Sequence, residues 1–304
     1  MLSTGEVIIQ QLMNGLITGS FYALISLGYS MVYGIIKLLN FAHGDVYMVG
    51  AFIGFAVFGA VSGALGTGWL SIILAMLAAM FLCGALGFLI QRVAYRPLLD
   101  APRLSLLITA IGMSLILYNA VMVITNGEFM FFIHGVDPTA GISFGNITIT
   151  WIQLILLGIT AALMIVLTWF ISTTIWGKAM RAIALDKPTC RLMGINVNKI
   201  IGLTFFIGSA LAAVAGVMHC VYYGNIQYFM GYIMGMKAFT AAVIGGIGSL
   251  PGAMLGGILL GLLEAAGTQV FGSSWKDVFA FVLLILMLIF KPTGLLGKTE
   301  VERM

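Results

Sequence analysis

Charge is what this chain most lacks. Only 8% of its 304 residues are Asp, Glu, Lys or Arg, where a soluble domain carries about 25%. A water-facing surface around a folded core is therefore excluded. Histidine is scarcer still, with His43, His134 and His219 alone, and no His-Glu-x-x-His pair or Gly-x-Ser-x-Gly elbow supplies a metal site or an activated nucleophile. Three cysteines, Cys83, Cys190 and Cys220, follow no pairing pattern, which argues against a disulfide framework. The opening MLSTGEVIIQQ has neither the basic stretch nor the small-residue cleavage site of a removed signal peptide, so the first helix is expected to persist.

What is present is hydrocarbon and glycine. The chain is 61% hydrophobic with 39 Gly and 19 Met, and its mean hydropathy is +1.13. Glycine is frequent in membrane helices because it lets backbones approach closely. The net charge of +4 lies in short loops rather than on one face, so no nucleic-acid partner is expected. A crossing helix needs roughly 20 apolar residues. On that basis spans fall near 8–36, 46–66, 69–91, 104–125, 150–172, 200–222, 228–247, 252–271 and 278–291. The first is long enough to be tilted or broken at Gly15–Gly19, and the seventh is short. The fold class is all-α, a polytopic transmembrane bundle of about 8–9 spans forming one domain over residues 1–304.

Cytoplasmic loops collect Lys and Arg. The 92–103 loop holds Arg92, Arg96 and Arg103, and the 173–199 loop holds Lys178, Arg181, Lys187, Arg191 and Lys199. The 126–149 loop has Glu128 and Asp137 and no base. The first two are expected inside and the third outside. That leaves the N-terminus outside and the tail, with Lys291, Lys298 and Arg303, inside. GISFGNITIT alternates as a small hairpin would.

Several clusters interrupt the hydrocarbon. NFAHGDVYMVG, residues 40–50, sets Asn40, His43 and Asp45 around Gly44 between the first two spans. One reading is a turn in which Asp45 caps the second helix. The other is a broken backbone at membrane depth, tolerated only when buried in protein or lining a cavity. A weak echo, GGIGSLPGAMLGG, follows the seventh span, and such corresponding breaks point to a translocation path. Lys237 and Glu264 lie in apolar helices, where each must face protein or water and the two could pair. Gly248, Gly252 and Gly256, with Gly257–Gly261, mark close helix packing, within this chain or against another subunit. His219 beside Cys220 reads as a packed side chain. PTGLLGKT resembles a phosphate loop but has Pro292 where that loop needs Gly, so the chain carries no ATP site of its own. WGKAMRAIALDKPTCRLMGINVNK, Trp176 to Lys199, is a basic helical segment whose Met180, Ile183, Ala184 and Leu192 can form an apolar stripe for a surface helix or for docking a partner.

Taken in order, NGLITGSFYALISLGYSMVYGIIKLLNFAHGDVYMVGAF (14–52), QRVAYRPL, TAIGMS at 109–114, GKAMRAIALD…LMGIN, MKAFTAAVIGGIGSLPGAMLGGILLGLLEA and KPTGLLG resemble the LivH-type permeases of bacterial branched-chain amino-acid ABC importers. The resemblance implies a permease in the bacterial cytoplasmic membrane that moves leucine, isoleucine or valine. It implies a sister permease, two cytoplasmic ATPase subunits and an extracytoplasmic solute-binding protein, with no cofactor on this chain. It makes the segment around Gly177, Arg181, Asp186 and Gly194 the coupling element. Met180 and Ile183 are then expected as its apolar anchors, and Lys178 and Arg181 as its rim charges. The path is expected along Asn40, His43, Gly44 and Asp45, with Gly248, Lys237 and Glu264 in the second half. A sibling importer for urea or short amides stays open, as does, further off, an ion-coupled carrier.

Overall fold

The computed structural model describes residues 4–99, 101–144 and 147–297. Helix α1 (Thr4–Ile36) is followed by α2 (His43–Leu65), α3 (Trp69–Ile90) and α4 (Arg103–Ile124). Next come α5 (Trp151–Thr173), the short α6 (Ile175–Leu185) and α7 (Lys187–Leu192), and the long α8 (Val197–Tyr223). The chain closes with α9 (Met230–Gly245), α10 (Leu250–Phe271) and α11 (Lys276–Phe290). Among the described residues eight helices are long and apolar enough to cross a membrane. Helix α9 is not: its 16 residues reach about 24 Å, short of a core about 30 Å thick. The seventh expected span is thus a short helix. Lys298, Thr299 and Arg303 lie outside the described residues.

Glycine builds the core, because lipid provides no hydrophobic drive to bring helices together and contact must come from shape. Helix α1 stays unbroken; its Gly15 and Gly19 press on Gly261 and Ile258 of the antiparallel α10. Helix α2 runs parallel to α8, Gly50 against Ala213 and Gly54 against Val217. Helix α3 runs antiparallel to α8, Gly84 meeting Phe206 and, further along α3, Phe88 and Gln91 meeting Gly202. Gly252 and Gly256 face α9, and Gly257 and Gly261 face α1, so this glycine series packs within the chain.

The expected hairpin forms between β2 (Gly141–Phe144) and β3 (Ile147–Thr150). Strand β1 (Met130–Phe131) pairs with β4 (Asn225–Ile226), tying the acidic loop to the end of α8. Both basic segments lie at the opposite end, where α3 ends beside the start of α8.

Two breaks decide the centre of the molecule. Helix α1 ends at Ile36, yet His43 lies against Gly28, eight residues back along that helix. Segment 37–42 therefore climbs about 12 Å back into the bundle, and α2 starts beside Gly208, midway along α8. From the opposite end, the chain leaves α8 at Gly224, in a left-handed turn (φ 69°), and re-enters to begin α9 at Met230. The two re-entrant starts meet. A methyl group on Gly44 would come within 2.5 Å of the Gly231 carbonyl oxygen and 2.7 Å of the Gly235 Cα, so only glycine fits.

Candidate functional site

The 40–45 cluster sits at depth, and its members are held individually. Asn40 accepts a hydrogen bond from the Tyr95 hydroxyl (2.8 Å), which rises from a π-helical turn over Gln91–Tyr95. The His43 ring stacks edge-on to Tyr29 at 4.9 Å, and its Nε2 is buried without a hydrogen-bond partner. Asp45 does not cap α2, whose N-cap is Ala42 with no side-chain bond. The cap would need the carboxylate to fold back on its own first turn. Instead Asp45 reaches across to α4, where Ser114 donates to Oδ2 at 2.5 Å. Asp45 is only 2% exposed. It borders a cavity of about 310 Å³ whose other walls include Tyr29, Phe41, Ile111, Leu115 and the α9 residues Gly231, Gly235 and Met236.

Lys237 and Glu264 do pair, at 2.5 Å. Both are buried, and the Tyr22 hydroxyl donates to the second Glu264 oxygen at 2.6 Å. Asp277, at the start of α11, approaches the Lys237 ammonium at 2.6 Å, and Lys276 stands 3.7 Å from Glu264. Two cations and two carboxylates thus neutralise one another where α1, α9, α10 and α11 meet. This network borders a separate cavity of about 300 Å³ that also touches Tyr22, His219, Tyr223 and Gln227. His219 packs among Phe21, Tyr47 and Tyr223. The two cavities share no lining residue. Helix α9 divides them, presenting Gly231, Gly235 and Met236 to one and Ile233, Met234 and Lys237 to the other.

Gly248 belongs to neither cavity. It lies against Gly34 at the far end of α1, and Ser249 next to it caps α10 through the Gly252 amide. The element that meets Gly44 is therefore the start of α9, and the GGIGSLPG turn is not its counterpart. KPTGLLG folds back onto that turn: the amides of Leu295 and Leu296 donate to the carbonyls of Ile244 and Gly245. These are orphan acceptors of the last turn of α9.

The basic segment forms α6 and α7, but its polarity differs from the expected one. Met180 and Ile183 are buried, since α6 lays the face carrying Gly177, Met180 and Ile183 on its own bundle. Arg181 donates to the carbonyls of Ile171 and Ser172 and so closes the end of α5 rather than standing free. Lys178 remains exposed. Thr174 caps α6 through the Gly177 amide. Asp186 caps α7, accepting from the Thr189 amide and hydroxyl, and these bonds hold its carboxyl below the usual carboxylate range. Gly194 takes a left-handed φ of 81° at the exit. Apolar side chains that face outward include Ile175 and Trp176 at the start of α6 and, from its far end onward, Leu185 (88% exposed), Leu192 (87%) and Met193.

Sequence reasoning missed Ser114, Tyr95, Tyr22 and Asp277, whose partners are distant in the chain. Among the described residues no group of three or more His, Cys, Asp or Glu is placed to hold a metal ion.

A family profile described as "Branched-chain amino acid transport system / permease component" matches residues 11–288. The chain is 49% identical to the "High-affinity branched-chain amino acid transport system permease protein BraD" of Pseudomonas aeruginosa, over 97% of each chain. It is 45% identical to the protein of the same description named LivH in Escherichia coli K12, again over 97% of each. A "Probable branched-chain amino acid transport permease protein LivH" of Methanocaldococcus jannaschii is 25% identical, over 93% of this chain and 90% of that one.

Proposed function

The chain belongs to the branched-chain amino acid transport permease family, and from that premise we propose that it passes leucine, isoleucine and valine across the bacterial inner membrane as one permease subunit of an ATP-driven importer. The observation that carries the cargo is the 49% identity, over 97% of each chain, to a protein described as a branched-chain amino acid permease. The geometry suits it. The Asp45 cavity offers Phe41, Ile111, Leu115 and Met236 to an aliphatic side chain and one carboxylate to a polar end.

In this reading the chain takes no cofactor and hydrolyses nothing. A sister permease completes the path, two ATPase subunits dock on the basic side, and a solute-binding protein delivers cargo on the acidic side. By the distribution of Lys and Arg, the ends of α3 and α5 face the cytoplasm and the start of α1 faces outward. The docking anchors are Leu185, Leu192 and Met193, while Met180 and Ile183 fasten α6 to the bundle so that a pull on α7 reaches α5 and α8. Between the cavities, α9 is the wall whose shift would exchange access. It is too short to span, and α2, α10, α11 and the tail hold it.

Uptake of radiolabelled solutes by proteoliposomes carrying the assembled importer and internal ATP tests the cargo. Saturable leucine uptake, competed by isoleucine and valine, is expected. Uptake of urea or acetamide without leucine would keep the machine and replace its cargo.

A further inference from the structure

Among the described residues, Asp45 is the buried carboxylate with no answering cation. The Lys237–Glu264–Asp277–Lys276 set balances internally. Asp186 and Asp137 are exposed and satisfied by Thr189 and Thr139. Asp45 is 2% exposed, sits where α2 begins inside the bundle, and accepts one hydrogen bond, from Ser114 to Oδ2. A carboxylate at that depth is costly unless a cation or water-filled space compensates it, and the cavity of about 310 Å³ lies in front of it.

The adjoining wall of that cavity has the complementary character. Helix α9 starts there, with Phe229 as N-cap and no side-chain cap. The first-turn amides, Gly231 and Tyr232 among them, have no intrahelical acceptor, and the positive end of the helix dipole adds to their pull on an anion. Gly231 and Gly235 pack directly on Gly44, and Gly231 also on Asp45, which brings this turn against the start of α2 while both glycines line the cavity. A negative side chain and a positive backbone turn thus face one small space, with apolar Phe41, Ile111, Leu115 and Met236 beside them.

We propose that this cavity is a subsite for a zwitterionic aliphatic amino acid: Asp45 takes the ammonium, the first turn of α9 takes the carboxylate, and the apolar walls take the side chain. The inference rests on the amino-acid reading above and adds the residues that hold the cargo inside the membrane. Ser114 orients Asp45 as a positioning residue, and Gly44 brings the two helix starts close enough for one molecule to bridge them. A solute without both charges, such as urea, gains nothing from this pair of poles.

The test uses the complete importer in proteoliposomes and reads leucine imported per ATP hydrolysed. Asp45→Asn is expected to lower that ratio about tenfold or more, as loss of one member of a buried charge pair does, and Asp45→Glu to restore part of it. Asp45→Asn that imports leucine within about twofold of the parent ratio would overturn the proposal. A second measurement does not depend on how the Asn variant folds. Ser114→Cys, in complexes trapped with vanadate, should react with a cationic methanethiosulfonate, and leucine-loaded binding protein should slow that reaction at least about fivefold. Equal labelling with and without leucine overturns the proposal. Parent vesicles that import no leucine at all would instead overturn the amino-acid reading, and this subsite with it.

Discussion

Replacing Lys237 by Met removes the cation from a buried cluster whose members are spread across four helices. Glu264, 0% exposed, would keep the Tyr22 hydroxyl at 2.6 Å and Lys276 at 3.7 Å, but lose its 2.5 Å partner. Stripping one member from a buried pair costs about 3–5 kcal/mol. The surviving Tyr22 and Lys276 contacts place Lys237→Met at the low end, about 3 kcal/mol. Replacing both members with apolar residues of similar volume is often close to neutral, so Lys237→Met with Glu264→Met should cost only about 1–2 kcal/mol, most of it from the Tyr22 hydroxyl left without its acceptor. Asp277, with a side chain 57% exposed, can then turn to water. The double variant should thus be more stable than the Lys237→Met single, giving a coupling of about 2 kcal/mol or more in the cycle. The assay is unfolding in mixed detergent micelles followed by tryptophan fluorescence. A single variant as stable as the parent, or a double variant whose loss equals the sum of the singles, would refute the view that this network is a mutually dependent buried pair.

Other consequences follow from the same contacts. Gly44→Ala places a methyl group 2.5 Å from a backbone oxygen that cannot yield, so assembly should be lost by size-exclusion of the fluorescent fusion, at a cost above the usual 1–3 kcal/mol of overpacking. Gly59→Ala, with nothing within 4 Å of its added methyl, should leave the profile unchanged. Leu185→Glu with Leu192→Glu should leave the permease folded but prevent co-purification of the ATPase, whereas Met180→Glu, on the buried face of α6, should prevent folding. The Asp186 cap has a defined sign with pH. Its carboxyl is depressed in the folded chain, so its contribution is complete above the unfolded value near 3.8 and is lost as pH falls through the lower folded value. Hydrogen exchange at the Thr189 amide, corrected for intrinsic rates, should accordingly show constant protection from neutrality down to about pH 5 and lose it only in stronger acid.

Periodicity and loop charge were enough for the helical class, the crossing helices and the hairpin, since lipid demands long apolar segments and closed backbone bonding. The 40–45 break was legible because three polar residues among hydrocarbon need compensation. Its counterpart was not. Gly231 and Gly235 in FMGYIMGMK carry no polar signal, and only their contact with Gly44 identifies them. The GGIGSLPG turn was the more conspicuous pattern, yet its glycines serve the approach of α9, α10 and the tail. The basic 173–199 segment was legible as a helix but not by face: Met180 and Ile183 look like outward anchors until the bundle behind α6 is seen to need them. Ser114 and Asp277 are ordinary polar residues in sequence, and their value comes from Asp45, 69 positions before Ser114, and from Lys237 across a helix interface from Asp277.

The most direct test of the account is the energy source. Initial leucine uptake should be compared in vesicles loaded with ATP and in vesicles given only a proton or sodium gradient, each containing the permease with its partner subunits. Uptake that requires ATP and the ATPase subunits, and is indifferent to both gradients, is the predicted result. Gradient-driven uptake by the permease without those subunits would contradict it.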